Sequence, residues 1–489
     1  MKLLTPICAV WLTTISLFAQ AQTQDTFLDS SAFYSVSPGA LAQAQQALAA
    51  EEANLPTVAI PVSVDVGLEH GQWTDQGDVA TWSLRLYSAG ATLLIPAFDR
   101  FNLPQGASLS VASANGDMMH GPYDRSHQKR HGGLSLPYVA GDTLVLHLSV
   151  PANAKSEVML HLNRLGHGVR PLDSSGWPVA KAAPCEIHVA CPQGDGWRDQ
   201  IRSVVKLQVE RRNSFVFCTG QLINNTAQDG APYILTARHC NITAANDDDV
   251  VVFFNFQSSS CALDDFNQGQ SSPGTLFLDS FSRSDMTLLV LDENLGRFNA
   301  FLSGFNASSG DVPQNGVSIH HPGGEQKRIS VFNGGVFKTP VDIVGDGLLS
   351  NFTVDAFSVD WEQGVTEQGS SGAGLWDQNK QLVGTLSGGS ATCLGGEDFY
   401  GRLELAWDDG LSGFLDPLST GRRSFCGRNF SGPTCNPIAP PASGSNGSGN
   451  PGTSSNSSGG GSVPHSSLCL LLVMGIIAMA RRRSVAGTI

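Results

Sequence analysis

Two short segments carry residues able to do covalent chemistry. Leu235-Thr236-Ala237-Arg238-His239-Cys240 sets an imidazole between an apolar strand ending and a cysteine. Gln368-Gly369-Ser370-Ser371-Gly372-Ala373-Gly374 sets a hydroxyl in a glycine-flanked turn. A serine hydroxyl is a weak nucleophile and needs a base within hydrogen-bond reach. His239 is the candidate base and Ser371 the candidate nucleophile. The turn would free the backbone N–H groups of Gly369 and Ser371 to point at one oxygen, as stabilisation of a tetrahedral oxyanion requires. A Gly-x-Ser-Gly run alone is weak in a chain with 54 glycines. The two segments in this order, with these flanks, are specific for acyl transfer.

Such a pair needs a carboxylate behind the ring, to hold its tautomer and stabilise the imidazolium. Asp285 fits best, because Ser284-Asp285-Met286-Thr287-Leu288-Leu289-Val290-Leu291 places it ahead of an apolar strand that would bury it. Asp279 and Asp292 flank apolar runs as well and are its rivals. His239 and Asp285 are 46 residues apart, and Asp285 and Ser371 are 86 apart. These separations leave room for one β-barrel to be completed and a second begun.

The elements that must position these groups are short strands. Val204 to Val209 and Val250 to Phe256 are β-branched or aromatic runs, and long helical periodicity is nearly absent beyond residue 182. Many short strands with glycine turns indicate sandwich or barrel. Residues 22–181 also read as β: Val62 to Val66, Trp82 to Leu86 and Leu144 to Val150 alternate or run β-branched. They suggest a small sandwich, with one helix over Ala40 to Ala53. His120, His127, His131, His161 and His167 fall on its loops, and no metal site is expected.

The ends have their own character. Lys2, the apolar run Leu3 to Phe18 and Ala19-Gln20-Ala21 read as a cleaved export signal over residues 1–21. Residues 428–462 are set down as a linker, being Pro-, Gly-, Ser- and Asn-rich from about Pro437 onward. Residues 463–489 hold the apolar run Leu468 to Ala480, followed by Arg481, Arg482 and Arg483. That run is shorter than the roughly 20 residues of a comfortable span. The arginines should stay on the cytoplasmic side, leaving the bulk of the chain outside. The net charge of −14 argues against nucleic acid as a partner.

Of ten cysteines, Cys8 and Cys469 lie in the two terminal apolar segments. The remaining eight, all at or beyond Cys185, should be oxidised in an exported chain. Spacing leaves their pairing open, although Cys240 could tether the His239 loop to its neighbouring strand through Cys218. Lys181 stands four residues before Cys185 and offers a maturation boundary.

From about Cys185 to Pro417 the chain resembles the bacterial lysyl endopeptidases. The resemblance is carried by Cys185-Glu186-Ile187-His188-Val189-Ala190-Cys191-Pro192, Gly194-Asp195-Gly196-Trp197-Arg198-Asp199, Cys218-Thr219-Gly220, Asn224-Asn225-Thr226, Ile319-His320-His321-Pro322, Lys327-Arg328-Ile329-Ser330, Gly364-Val365-Thr366-Glu367 and Asp398-Phe399-Tyr400-Gly401-Arg402. It implies an all-β chymotrypsin-like fold of two six-stranded β-barrels, here preceded by a β-sandwich-like prodomain at 22–181, with the peptidase domain at 182–427. It implies a zymogen whose triad is His239, Asp285 and Ser371, and an oxyanion hole at Gly369 and Ser371. It also implies disulfides Cys185–Cys393, Cys191–Cys261 and Cys218–Cys240; Cys426–Cys435 is then left by proximity. Asp398 would receive a substrate lysine, and Ser387, Gly388 and Gly389 would line the pocket wall.

The expected partner is a protein or peptide with lysine at the cleaved bond. No cofactor is expected, and the chain is expected to act as a monomer. A lysine-directed enzyme could cut itself after Lys181. The tail resembles Gly-Gly-type bacterial sorting signals, with Gly459-Gly460-Gly461-Ser462 ahead of the apolar run. This implies transient membrane insertion and a secreted or surface location in a Gram-negative bacterium; a plain anchor is the other reading.

Three positions depart from related patterns. Ser370 stands where many such enzymes carry an Asp that pairs with a new amino terminus, so activation should not require that pair. Val365 stands where trypsin-like enzymes keep their pocket Asp. Ser387 replaces a family His, and the Trp that would stack on that His is missing between Asp285 and Trp361. Arginine acceptance, and an inactive surface-displayed binding protein on the same scaffold, are the alternative readings.

Overall fold

In the computed structural model, residues 32–50, 57–170, 183–262, 270–344 and 351–436 are described. They form an all-β chain: a sandwich followed by two barrels. Residues 1–31, 171–182 and 437–489, which include the export signal, Lys181 and the apolar tail, lie outside the described residues. No helix among the described residues is long and apolar enough to cross a membrane.

The N-terminal sandwich follows from strict alternation. Val79–Tyr87 buries every second residue, so Ala80, Trp82, Leu84 and Leu86 face inward. This strand pairs with Thr143–Pro151, which pairs in turn with Ser108–Ser113. The facing sheet is built from Ala59–Gly67, Met159–Gly168 and Leu93–Asn102. The early helix runs from Pro38 to Ala49, starting ahead of the expected Ala40, and residues 51–53 of the expected span lie outside the described residues. Ser37 caps it by accepting from the Ala40 N–H, and Pro38 sits in the first turn, where a missing N–H costs nothing. His120, His161 and His167 lie in strands rather than loops. Glycines and prolines beside them, such as Gly121-Pro122, mask the alternation in the sequence.

The first barrel joins Gln270–Pro273, Val251–Phe254, Val204–Glu210, Phe215–Leu222, Tyr233–Ala237, Met286–Leu291 and Thr275–Phe281 in that pairing order. Its first and last members are two halves of one chain segment bent at Gly274, where φ is +90°. The bend closes the ring. The second barrel runs Arg328–Asn333, Asn315–His320, Gly374–Asp377, Leu382–Gly389, Glu397–Arg402, Phe352–Asp360 and Phe337–Ile343. Apolar residues of both barrels meet in a shared core containing Leu235, Met286, Leu288, Ile319, Ile329 and Trp376. The catalytic candidates lie where the barrels face each other.

Sandwich and first barrel also share a core. Phe215, Phe217, Val251, Phe253 and Phe256 of the barrel pack into the same buried cluster as the sandwich interior. Ala59 pairs with Phe215, so the strand ladder passes from one to the other. The fold extends past residue 427, where the linker was expected to start. Arg428–Asn429 pairs with Phe301–Leu302, and Cys435 is joined to Cys426.

Candidate active site

His239 lies in the short turn Arg238–Cys240 that follows the Tyr233–Ala237 strand. Asp285 caps another short turn, Ser282–Ser284, with φ of +50°, a conformation Asp tolerates because its short side chain bonds locally. The two turns are laced together. The Asp285 carbonyl accepts the Arg238 N–H at 2.9 Å and its Oδ1 accepts the His239 N–H at 2.9 Å. Its Oδ2 lies 2.7 Å from His239 Nδ1. The Asp285 side chain is fully buried, whereas the imidazole keeps 16% exposure. That leaves Nε2 as the ring nitrogen able to accept a proton. Of the rivals, Asp292 pairs with Lys129 of the sandwich, and Asp279 bonds the backbone N–H of Ser280.

The Ser371 turn belongs to the second barrel but is pressed against the first. Gly372, at φ +84°, has no room for a Cβ, which would lie 2.4 Å from Thr236 Oγ1 and 2.6 Å from the Ala237 nitrogen. The Ser371 carbonyl accepts the Thr219 N–H at 2.8 Å. These contacts bring Ser371 beside the strand that ends at His239. No hydrogen bond joins Ser371 Oγ to His239 among the described residues; in unliganded enzymes such bonds are often long and tighten with substrate.

Around the serine, the amides of Ser370 and Gly372 are spent on Glu367 and Leu386. Those of Gly369 and Ser371 make no hydrogen bond among the described residues, which leaves two donors for a developing oxyanion. Gly369 needs its φ of +93°, and a Cβ there would lie 2.7 Å from the Gly324 nitrogen. Ser370 points away from the cleft, with its Oγ 2.8 Å from Nδ1 of buried His320. Burial and then Arg328 push that histidine down to about 3, so its ring is neutral at working pH.

Asp398, on the Glu397–Arg402 strand, is 2% exposed. Trp361 Nε1 and Thr366 Oγ1 both donate to its Oδ2 at 2.7 Å. Its Oδ1 receives the Ala391 N–H at a longer 3.4 Å. Burial raises its pKa, and the Trp361 and Thr366 donors oppose that rise. Gly389 lies across from it in the sheet, and a Cβ on Gly389 would fall 1.9 Å from Oδ1. A glycine there leaves that oxygen open. A β-bulge between Leu386 and Gly388 re-aims Ser387, whose buried Oγ has no partner among the described residues. The sequence did not reveal Trp361 and Thr366 as donors to Asp398; the available signal was a Thr just ahead of the Ser371 turn and a Trp closing an alternating strand.

Four disulfides form, Cys185–Cys393, Cys191–Cys261, Cys218–Cys240 and Cys426–Cys435, with the pairing expected. Cys218–Cys240 clamps the residue after His239 to the Phe215–Leu222 strand. Disulfides of this number fit an exported protein. Among the described residues no group of three His, Cys, Asp or Glu is placed to hold a metal ion.

A double β-barrel with a His–Asp pair, a facing serine turn and two free amides has the parts of a serine endopeptidase, and the sequence relatives support that class. Residues 179–401 match the family model described as lysyl endopeptidase, C-terminal domain. The chain is 26% identical over 369 residues to the lysyl endopeptidase of Pseudomonas aeruginosa strain PAO1, covering 69% of this chain and 77% of that one. Both matches are to lysyl endopeptidases, and the family-model match spans just under half of the chain. Among solved structures, the active form of the Rv3671c protease from M. tuberculosis is similar at a TM-score of 0.31 and 19% identity, over 46% of this chain and 84% of that chain. The serine endoprotease from Yersinia pestis is similar at 0.31 and 15% identity, over 47% of this chain and 68% of that chain.

Proposed function

We propose that the protein is an exported serine endopeptidase that hydrolyses peptide bonds after lysine through an acyl-enzyme. His239 Nε2 takes the Ser371 hydroxyl proton as Oγ bonds to the substrate carbonyl carbon. The carbonyl oxygen becomes an oxyanion, held by the N–H groups of Gly369 and Ser371. The imidazolium, steadied by Asp285, then protonates the leaving amine as the C–N bond breaks. Water repeats the sequence on the acyl-enzyme and frees the acid. The observation that carries this reading is the 2.7 Å contact between His239 Nδ1 and buried Asp285, beside the Ser371 turn.

Lysine preference rests on Asp398. Oδ2 is held by two donors, while Oδ1 is left open by Gly389 for an incoming ammonium. An unpaired buried carboxylate is costly, so the pocket favours the side chain that neutralises it. Ser387, Gly388 and Gly389 would meet the substrate backbone and the alkyl stem. We place the mature start at Ala182, after cleavage at Lys181. The neighbouring Ala183 N–H donates to Glu367 Oε2 at 3.2 Å, close to the Ser371 turn. The test is a matched series of Lys-x and Arg-x peptides, with a serine-directed phosphonate as active-site label. Labelling at Ser371 with at least tenfold faster Lys-x cleavage is expected. Equal rates would end the lysine preference, and absence of labelling would favour the inactive binding scaffold.

A further inference from the structure

The peptide unit that presents the Gly369 N–H is held from its other end. A trans peptide points its C=O and N–H in opposite directions. The carbonyl of this unit, Gln368 O, accepts the Gly323 N–H, so that bond fixes which way the Gly369 N–H faces. The unit needs such an anchor, because Gly369 is a glycine at φ +93° and glycine backbone turns at little cost.

Gly323 belongs to the turn Pro322–Gly324, which Gly369 touches directly. The turn is secured from behind. Lys206 Nζ donates to the Gly324 carbonyl at 3.1 Å. Lys206 is completely buried among Tyr138, Phe217, Phe253 and Phe256, with Nζ 3.7 Å from the Phe256 ring centroid. Its second partner, Tyr138 Oη at 3.0 Å, comes from the N-terminal sandwich. Tyr138 is itself fixed by its neighbours, since its N–H donates to Gln208 Oε1 and the Leu136 carbonyl accepts from Gln208 Nε2.

We infer that the N-terminal sandwich is a working part of the catalytic centre: Tyr138 and Lys206 are positioning residues that hold the Pro322–Gly324 turn, and through it the Gly369 N–H, in the oxyanion-binding orientation. The sandwich supplies one hydroxyl to a chain of hydrogen bonds ending at the oxyanion hole. It does so from behind the barrel, away from the cleft. On this account the docked sandwich supports turnover instead of obstructing it, and a peptidase domain stripped of it would be slower.

The inference rests on acyl transfer at Ser371, so the experiment first labels the full-length wild-type chain with the phosphonate. Failure there removes the functional reading itself. Given labelling, Tyr138→Phe and Lys206→Met are made in the full chain, singly and together. Phe keeps the ring, and Met keeps an unbranched stem in the aromatic cage. Loss of a whole oxyanion donor costs about a hundredfold or more in kcat, so loosening one should cost about tenfold.

The expected result is that loss in kcat with KM unchanged. Affinity for a peptidyl aldehyde, which binds as the tetrahedral adduct, should fall by the same factor. Product-peptide affinity should hold, and the double variant should be no worse than the worse single one. Should Tyr138→Phe fail to fold, Lys206→Met decides alone by the same split. A folded variant with kcat within twofold of wild type and unchanged aldehyde affinity overturns the inference. So does a double variant whose loss is the product of the two single losses.

Discussion

Asp398 has one oxygen committed and one available, and this asymmetry sets what a substitution does. Trp361 and Thr366 donate to Oδ2, so an asparagine would turn its carbonyl oxygen toward them and its NH2 toward the pocket. A donor facing a lysine ammonium is worse than an empty space. Asp398→Asn should therefore cut kcat/KM for Lys-x substrates by about a hundredfold to a thousandfold, the range that follows from roughly 3–5 kcal/mol for breaking a buried charge pair. Phosphonate labelling of Ser371 should proceed at close to the wild-type rate, because Asp398 takes no part in activating the hydroxyl. Parallel peptide kinetics and labelling check both halves. An unchanged kcat/KM for Lys-x substrates would remove Asp398 from the pocket.

At the scale of elements, the active site is built from turns clamped to strands. Cys218–Cys240 joins residues 22 apart and closes the loop that carries His239. A cross-link over a loop of this length is worth about 3 kcal/mol through the unfolded chain. Replacing both cysteines by alanine should lower stability by about that much, read from the denaturation midpoint at constant m. Activity should fall further than the folded fraction, because the imidazole is adjacent to the lost bond. Activity tracking the folded fraction would show that the Asp285 contacts suffice.

The turns were the legible part of the chain, because chemistry restricts them to few residue types: Gly369 and Gly372 each lack room for a Cβ. The strands around them were legible by alternation, as in Val79–Tyr87. The helix start was missed because Ser37-Pro38 is a capping signal outside the Ala- and Gln-rich run. Lys206 was hidden most completely. It sits within a run read as an apolar strand, and nothing local shows that a Tyr from another module meets its Nζ.

For the whole molecule, the question is whether sandwich and barrels would separate if the chain is cut after Lys181, as proposed above. Their junction combines a shared apolar core with complementary charge. Arg130 pairs with Asp247 and Asp248, Arg164 with Glu210 and Asp249, and Lys129 with Asp292. His131 also faces Asp248 and Asp249. Burial raises Asp248, but bonds from Arg130 and His131 outweigh it and hold its pKa below the usual carboxylate value. A depressed carboxylate stabilises the docked state above its ordinary pKa of about 3.9, and that contribution is lost as pH falls through the lower docked value. Glu210 works the other way, since burial raises its pKa even beside Arg164. Its contribution is present at acid pH and fades as pH rises through that raised value.

The net expectation is a complex that survives cleavage at neutral pH and weakens below about pH 4. The apolar core should keep it together at about 0.5 M salt, where exposed charge pairs are screened. Size-exclusion of the cut chain should show the two parts co-eluting at pH 7 and separating on acidification. Arg130→Gln should move the separation to higher pH, because Asp248 then loses the guanidinium whose hydrogen bond does most to hold its pKa down. Separation at neutral pH as soon as the chain is cut would mean that the shared core is too small to hold the parts together. In that case the oxyanion support from Tyr138 would end with maturation.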